Sequence, residues 1–386
     1  MSLIQEQSEE ENTPVGSALR VFCSHFDPLQ VIPMVILLTI GILFIYGTGQ
    51  QAGGFYAVLW QRHIFYLIPG LVLWFFFSFT DYHRLHLMEL VLYPVSLLLL
   101  VYVLFFGVRY YGATRWIDVF GVSVQPSEIA KFSCILFCAK HLSMKQFPVN
   151  SWKTIFILVL TVGLPAFLIF RQPNLSMALT LCFCCFSIVF AAGLKWKYML
   201  IGILAVSVML PVGYSMLRPY HKERIKVFLN PQHDPLNKGW NQLQSELAVG
   251  SGGMTGKGFM QGTQNQFGYL PQTVANSDFI FSIIAEETGF AGSLFLLLMY
   301  AVLLISIFRT ALNAPDEFGQ YLCIGTGTVF AVHTIVNIGM SIRLMPVTGL
   351  PLPLVSYGGT FLLASFAYLG IVQSVYASRG RIDEDE

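Results

Sequence analysis

DFIFSIIAEETGFAGSLFLLLMYAVLLISIF, residues 278–308, opens on an acid and then runs for thirty residues with only two charges, Glu286 and Glu287. About twenty apolar residues cross a bilayer as a helix, so this run is long enough to span one. Lipid offers the backbone no hydrogen-bond partner, so a spanning segment must satisfy itself internally, as helix. Working outward, similar runs recur near 29–49, 63–80, 87–107, 126–143, 153–170, 174–193, 198–217, 318–342 and 353–378. The composition agrees: 55% hydrophobic and 11% charged, against about 25% charged in soluble domains. These runs predict an all-α, polytopic membrane protein with about ten transmembrane helices, in one membrane domain over 25–378.

The long polar interruption, about 218–277, ends where the quoted stretch begins. The acidic N-terminus (QEQSEEENTP) lacks the basic region and cleavage site of a secretory signal. Residues 1–24 are expected to be a disordered cytoplasmic tail, with a second short tail at 379–386. With the N-terminus inside, the inner segments carry ten Lys and Arg, against five outside (Arg62, Arg109, Arg115, Arg171 and Arg343). The positive-inside rule then puts both termini in the cytoplasm and the 218–277 loop outside. Of seven cysteines, six lie in apolar spans and no C-x-x-C occurs, which supports neither a disulfide framework nor a zinc site. A net charge of +1 without a basic patch gives no nucleic-acid signature.

Several clusters can carry chemistry, each with a plainer reading beside it. Gln125-Pro126-Ser127-Glu128-Ile129-Ala130-Lys131 opens the fourth span. Glu128 and Lys131, three apart, share a helix face. They read either as a polar site in the bundle or as a structural ion pair. Arg171-Gln172-Pro173-Asn174 is a short outer link, in which Arg171 suits an interfacial anchor and neutral Asn174 cannot act as a base. GSGGMTGKG, 250–258, resembles a phosphate-cradling loop but lacks P-loop spacing, since Gly258 follows Lys257. Its plainer reading is a flexible connector. Asp278 alone reads as a helix cap, whereas Glu286 and Glu287 inside an apolar run are costlier. LPLPLVSYGGT, 350–360, breaks helix at an outer membrane edge. His83 and His86 read as interfacial residues, not metal ligands.

QPSEIAK at 125–131, the loop running into DFIFSIIAEETG at 278–289, and LPLPLVSYGGT at 350–360 together resemble the SEDS (shape, elongation, division and sporulation) family. NPQHDPLNKGWNQLQS and GKGFMQGTQ resemble its RodA-like, elongation branch more than the FtsW-like, division branch. The resemblance implies a bacterial inner-membrane peptidoglycan glycosyltransferase that polymerises lipid II into glycan strands for elongation and cell shape. It implies Asp278 as catalytic carboxylate and Glu128 and Lys131 as central-cavity residues. Substrate contacts are expected from Glu128, Lys131, Asn174, Arg224, Lys257 and Ser356. The implied partners are lipid II, the nascent glycan, membrane lipids and a class B penicillin-binding protein within an elongation or division complex. Where the family has Q-P-D-L-G-T, this chain has QPNLSMA, so Asn174 replaces an aspartate. LPQTVANSDF stands for L-P-E-x-H-T-D-F, with Gln272 in place of Glu, Asn276 of His, Ser277 of Thr and two extra residues, and Arg343 stands where Gly is common.

A sugar hydroxyl is a poor nucleophile, and a positioned base contributes about 10²–10⁴-fold. In the expected mechanism Asp278 is that base. The leaving diphosphate needs positive charge, for which Lys131, Arg224, Lys257 and a divalent cation (Mg²⁺ or Mn²⁺) are open candidates. The alternative functions are a lipid II flippase and a non-catalytic scaffold that activates a penicillin-binding protein.

Overall fold

The computed structural model describes residues 26–110, 113–119, 122–216, 219–230 and 238–379. The expected tail at 1–24, Cys23 within it, and all of the expected 379–386 tail but Arg379 lie outside the described residues.

The ten expected spans are ten helices: α1 Pro28–Ala52, α2 Leu59–Phe79, α3 Leu85–Phe106, α4 Pro126–Ser143, α5 Trp152–Arg171, α6 Leu175–Ala191, α7 Trp196–Met216, with α12 Ile280–Leu312, α13 Glu317–Ser341 and α14 Gly359–Ser378. Seven segments among the described residues are long and apolar enough to cross a membrane by themselves. Of the other three helices, α4 carries Glu128, Lys131 and Lys140, α6 is 17 residues long, and α7 stays apolar in its 196–205 part. Start signals are conventional: Asp27 caps α1 by accepting from the Leu29 N–H, with Pro28 at the first position.

α13 and α14 form the centre. Their apolar windows are 72% and 78% buried, against 22% for the segment containing α3. α13 packs on α4, α6 and α12, α14 on α2, and α12 on α1. Outward apolar side chains such as Phe65, Leu98, Phe105, Phe156 and Leu204 are exposed, the surface a lipid-facing helix presents.

Two outer regions depart from expectation. The described residues between 108 and 124, several of them β-branched or aromatic, form a small antiparallel sheet: β1 Val108–Tyr110, β2 Ala113–Val119 and β3 Val122–Val124, in that order. Among its described residues the 218–277 segment is largely helical, with α8 Pro219–Leu229, α9 Lys238–Ser251, α10 Thr263–Gln266 and α11 Gln272–Ala275. α9 packs against α12 and α13. Ser245 donates to the Ser341 carbonyl at 2.9 Å.

The glycine-rich loop is neither connector nor anion cradle. Gly289, at φ 69°, interrupts α12. The carbonyls of Glu286 and Glu287 would otherwise accept from the 290 and 291 amides. They accept instead from Lys257 N and Gly258 N (3.0 and 2.9 Å), while Phe290 N and Ala291 N donate to Gly253 O and Met254 O (2.8 and 3.1 Å). The amides of Lys257 and Gly258 are thus spent on α12, and that of Gly256 on Gly252 O within the loop. Gly256, at φ +78°, is needed at this contact: a Cβ there would lie 2.1 Å from the Glu287 carbonyl oxygen.

Candidate functional site

Asp278 does not cap α12. The cap position is Phe279, and no side chain closes it. The aspartate sits instead on a turn gripped from several directions. Its N–H donates to Val274 O at 2.9 Å. Asn337 Nδ2, from α13, donates to the Asp278 carbonyl at 2.9 Å and to Leu350 O at 2.8 Å. The Ser356 hydroxyl donates to Ser277 O, and Tyr357 N donates to Asn276 O at 2.9 Å. The proline-broken 350–357 segment thus holds the two residues preceding the acid. Ser356 acts on Asp278 through this backbone contact.

Asp278 is half-buried as a residue. Loss of surrounding water pushes its carboxyl above the ordinary aspartate range; Arg224, the Ser277 hydroxyl and Arg115 oppose that rise, in this order. Arg224 comes from α8, its Nη1 donating to Thr348 O at 3.3 Å. Arg115 comes from β2; its Nε donates to Gln172 O at 3.4 Å, and Nη2 donates to Pro173 O. In the sequence Arg115 stood only as an outer-loop charge. Its place in the β-prone run TRWID was the available signal, since such a run sends alternate side chains to one face.

Beside this site lies a cavity of about 630 Å³ between α6, α8, α13 and the 346–350 segment. Leu179, Phe183, Val332, Val336 and Val347 make it apolar, and Arg224 is in its wall. One guanidinium therefore belongs both to an apolar groove and to the field around Asp278.

The other sequence-derived candidates fall elsewhere. Glu128 and Lys131 are each 1% exposed and 2.9 Å apart. They are packed among protein groups, with Lys131 Nζ 3.1 Å from His333 Nε2 and 5.3 Å from the centre of the Phe361 ring. Lys257 is bound to Glu286 Oε1 at 2.6 Å and to Thr263 Oγ1 at 2.7 Å, which makes it a loop anchor. Glu286 also accepts from Thr263 N and Gln264 N, and Glu287 from Met260 N. Asn174 is buried at the start of α6 without capping it. Gln272 donates to Asn265, and the buried Asn276 accepts from Thr48. Arg343 takes φ 59°, a conformation glycine adopts freely, and pairs with Glu246 at 3.2 Å. His86 stacks on Phe318, ring centres 4.0 Å apart, and His83 lies 2.8 Å from Asp81.

The residues near Asp278 do not fit a protein-held divalent cation. The charges acting on it are two guanidiniums, and no group of three or more His, Cys, Asp or Glu suited to a metal occurs among the described residues.

Residues 28–380 match the FtsW/RodA/SpoVE family described as "Cell cycle protein". The chain is 34% identical over 357 residues to "Peptidoglycan glycosyltransferase MrdB" of Escherichia coli K12, covering 92% of this chain and 94% of that one. It is also similar to a chain in a solved structure described as "Structural coordination of polymerization and crosslinking by a peptidoglycan synthase complex". The TM-score there is 0.78 and the identity 32%, over 92% of this chain and 98% of the other. The crystal structure of the rod shape determining protein RodA of Thermus thermophilus superposes with TM-score 0.68 at 30% identity, over 92% and 97%.

Proposed function

We propose a mechanism from the premise that this chain belongs to the FtsW/RodA/SpoVE family, on its RodA-like side, and is a peptidoglycan glycosyltransferase. Asp278 is the general base. It takes the proton from the 4-hydroxyl of the N-acetylglucosamine of an incoming lipid II. That oxygen bonds to the anomeric carbon of the lipid-linked donor strand as the bond from this carbon to the diphosphate oxygen breaks. The single displacement inverts the centre, giving a β-1,4 link and free undecaprenyl diphosphate. Arg224 neutralises the diphosphate, Arg115 adds to the field, and the polyprenyl tail lies in the apolar groove. The observation that carries this reading is the place of Arg224, in the groove wall and in the field of Asp278 together. Base, counter-charge and tail site then converge where the bond must break.

The same reading puts the protein in the bacterial inner membrane, with the Asp278 end outside and both termini cytoplasmic. Its partner is a class B penicillin-binding protein that crosslinks the new strands. The test is polymerisation of lipid II by the purified protein with no other glycosyltransferase present. Polymer from the wild type and none from Asp278→Ala is the expected result. Equal rates from the two would remove Asp278 as base. Transbilayer movement of lipid II without polymer would make the protein a flippase.

A further inference from the structure

The buried Glu128–Lys131 pair is connected to the backbone that presents Asp278, and the connection runs through a histidine. Lys131 Nζ stands 3.1 Å from His333 Nε2. An ammonium has donors only, so Nε2 must accept and the ring proton lies on Nδ1. Nδ1 is 3.1 Å from the Pro351 carbonyl and donates to it. The imidazole is stacked on Phe361, ring centres 4.3 Å apart at 14°, and Lys131 lies over the same ring. These contacts leave His333 one orientation.

One turn on, Asn337 occupies the same face of α13. It bonds Leu350 O and Asp278 O at 2.8 and 2.9 Å. Two side chains of one helix therefore hold the consecutive carbonyls of Leu350 and Pro351. The segment they hold returns to the acid through Ser356 to Ser277 O and through Tyr357 N to Asn276 O. Its Gly349 lies against the carboxylate: a Cβ there would be 3.5 Å from Asp278 Oδ2. A shift of Pro351 is thus carried to both sides of Asp278.

We propose that His333 is a positioning residue, through which the Glu128–Lys131 pair sets the placement of Asp278 without touching substrate. The inference rests on Asp278 being the base. The pair is too buried to meet a ligand, each side chain being 1% exposed, and neither lines the groove. A buried ion pair contributes little net stability by itself. Its effect here lies in the orientation it imposes on His333.

The experiment measures lipid II polymerisation kinetics for wild type, His333→Phe, His333→Gln, Lys131→Met and the Lys131→Met/His333→Phe double variant. Thermal unfolding and hydrogen exchange at the Tyr357 amide are followed beside it. His333→Phe should lower kcat about 10²-fold, the cost of a small misplacement of a reacting group, with KM unchanged. His333→Gln keeps an acceptor for Lys131 and a donor for Pro351, and should recover most of that loss. The double variant should cost no more than the worse single one, because both break one path. Exchange at Tyr357 should quicken in His333→Phe while the unfolding temperature holds. A raised KM at unchanged kcat, or additive losses, would overturn the proposal, as that would place the pair on substrate or on a separate path. If His333→Phe fails to fold, Lys131→Met decides: low kcat at unchanged KM with quickened Tyr357 exchange upholds the proposal, and wild-type kcat, or low kcat with protected Tyr357, overturns it. Loss of activity in Asp278→Asn with full kcat in His333→Phe defeats this inference alone. Activity retained in Asp278→Asn defeats the base assignment beneath it.

Discussion

Asp278 and the Glu286–Glu287 pair begin eight residues apart, and in the sequence the acid at the boundary reads as a helix cap while the two inside the apolar run look the costlier and more telling. Their surroundings are opposite. Glu286 is 0% exposed and receives an ammonium, a hydroxyl and two amide N–H groups. Its capacity is spent on fastening the glycine-rich loop to the break in α12. Asp278 is half-buried and has the Ser277 hydroxyl as its side-chain donor, with two guanidiniums near enough to act on it. A saturated carboxylate stabilises a fold. A half-buried one, raised by loss of water and restrained by two arginines, keeps the capacity to accept a proton that the proposed mechanism uses. Charge at a membrane edge therefore says little until its partners are counted.

The contrast can be broken most directly at Asp278. Asp278→Asn should lower polymerisation kcat about 10²–10⁴-fold and leave thermal unfolding unchanged; a large fall in unfolding temperature would put Asp278 in the structural class with Glu286.

Arg224→Met comes next, with an expected loss of about 10²-fold in kcat. It also carries a pH signature. The base works deprotonated, and Arg224 holds its proton affinity down, so removing the guanidinium raises the carboxyl further. The acidic limb of the rate profile should move to higher pH, and a move to lower pH would place Arg224 away from Asp278.

Glu286→Gln should cost about 2 kcal/mol of stability, from donors left unmatched in a buried site. The folded fraction should keep its turnover; a variant with intact stability and lost turnover would transfer the catalytic role to Glu286.

The smallest effect belongs to Arg343→Gly. Relief of the positive φ and loss of a partly exposed ion pair oppose one another, and stability should change by less than about 1 kcal/mol. Unfolding temperature and polymerisation rate together check this.

How much of this was legible varies with the distance over which each feature is determined. The ten helices could be read because each is a continuous apolar run that satisfies its own backbone. Asp278, at the foot of α12, was legible through its motif and as an acid at a boundary. The sheet at 108–124 was not, since short strands exist only by pairing, and Arg115 was missed with it. The glycine-rich loop misled for a related reason: Gly252, Gly256 and Gly258 look the same whether their backbone approaches an anion or another helix. Only Gly289, far along the chain, shows which it is. Lys257 looked available because its partner, Glu286, lies in a different element.

The sequence by itself determined the membrane-spanning architecture, the family motifs and the boundary acid, because hydrophobicity accumulates along a run and needs no partner to be counted. The tertiary structure alone decided which carboxylate is saturated, that Arg115 and Arg224 converge on Asp278, and that His333 stands between the buried pair and the segment gripping that acid. Electrostatic fields and hydrogen bonds act over a few ångströms, and packing brings within that reach side chains from α4, α8, α13 and a strand that lie far apart in the chain.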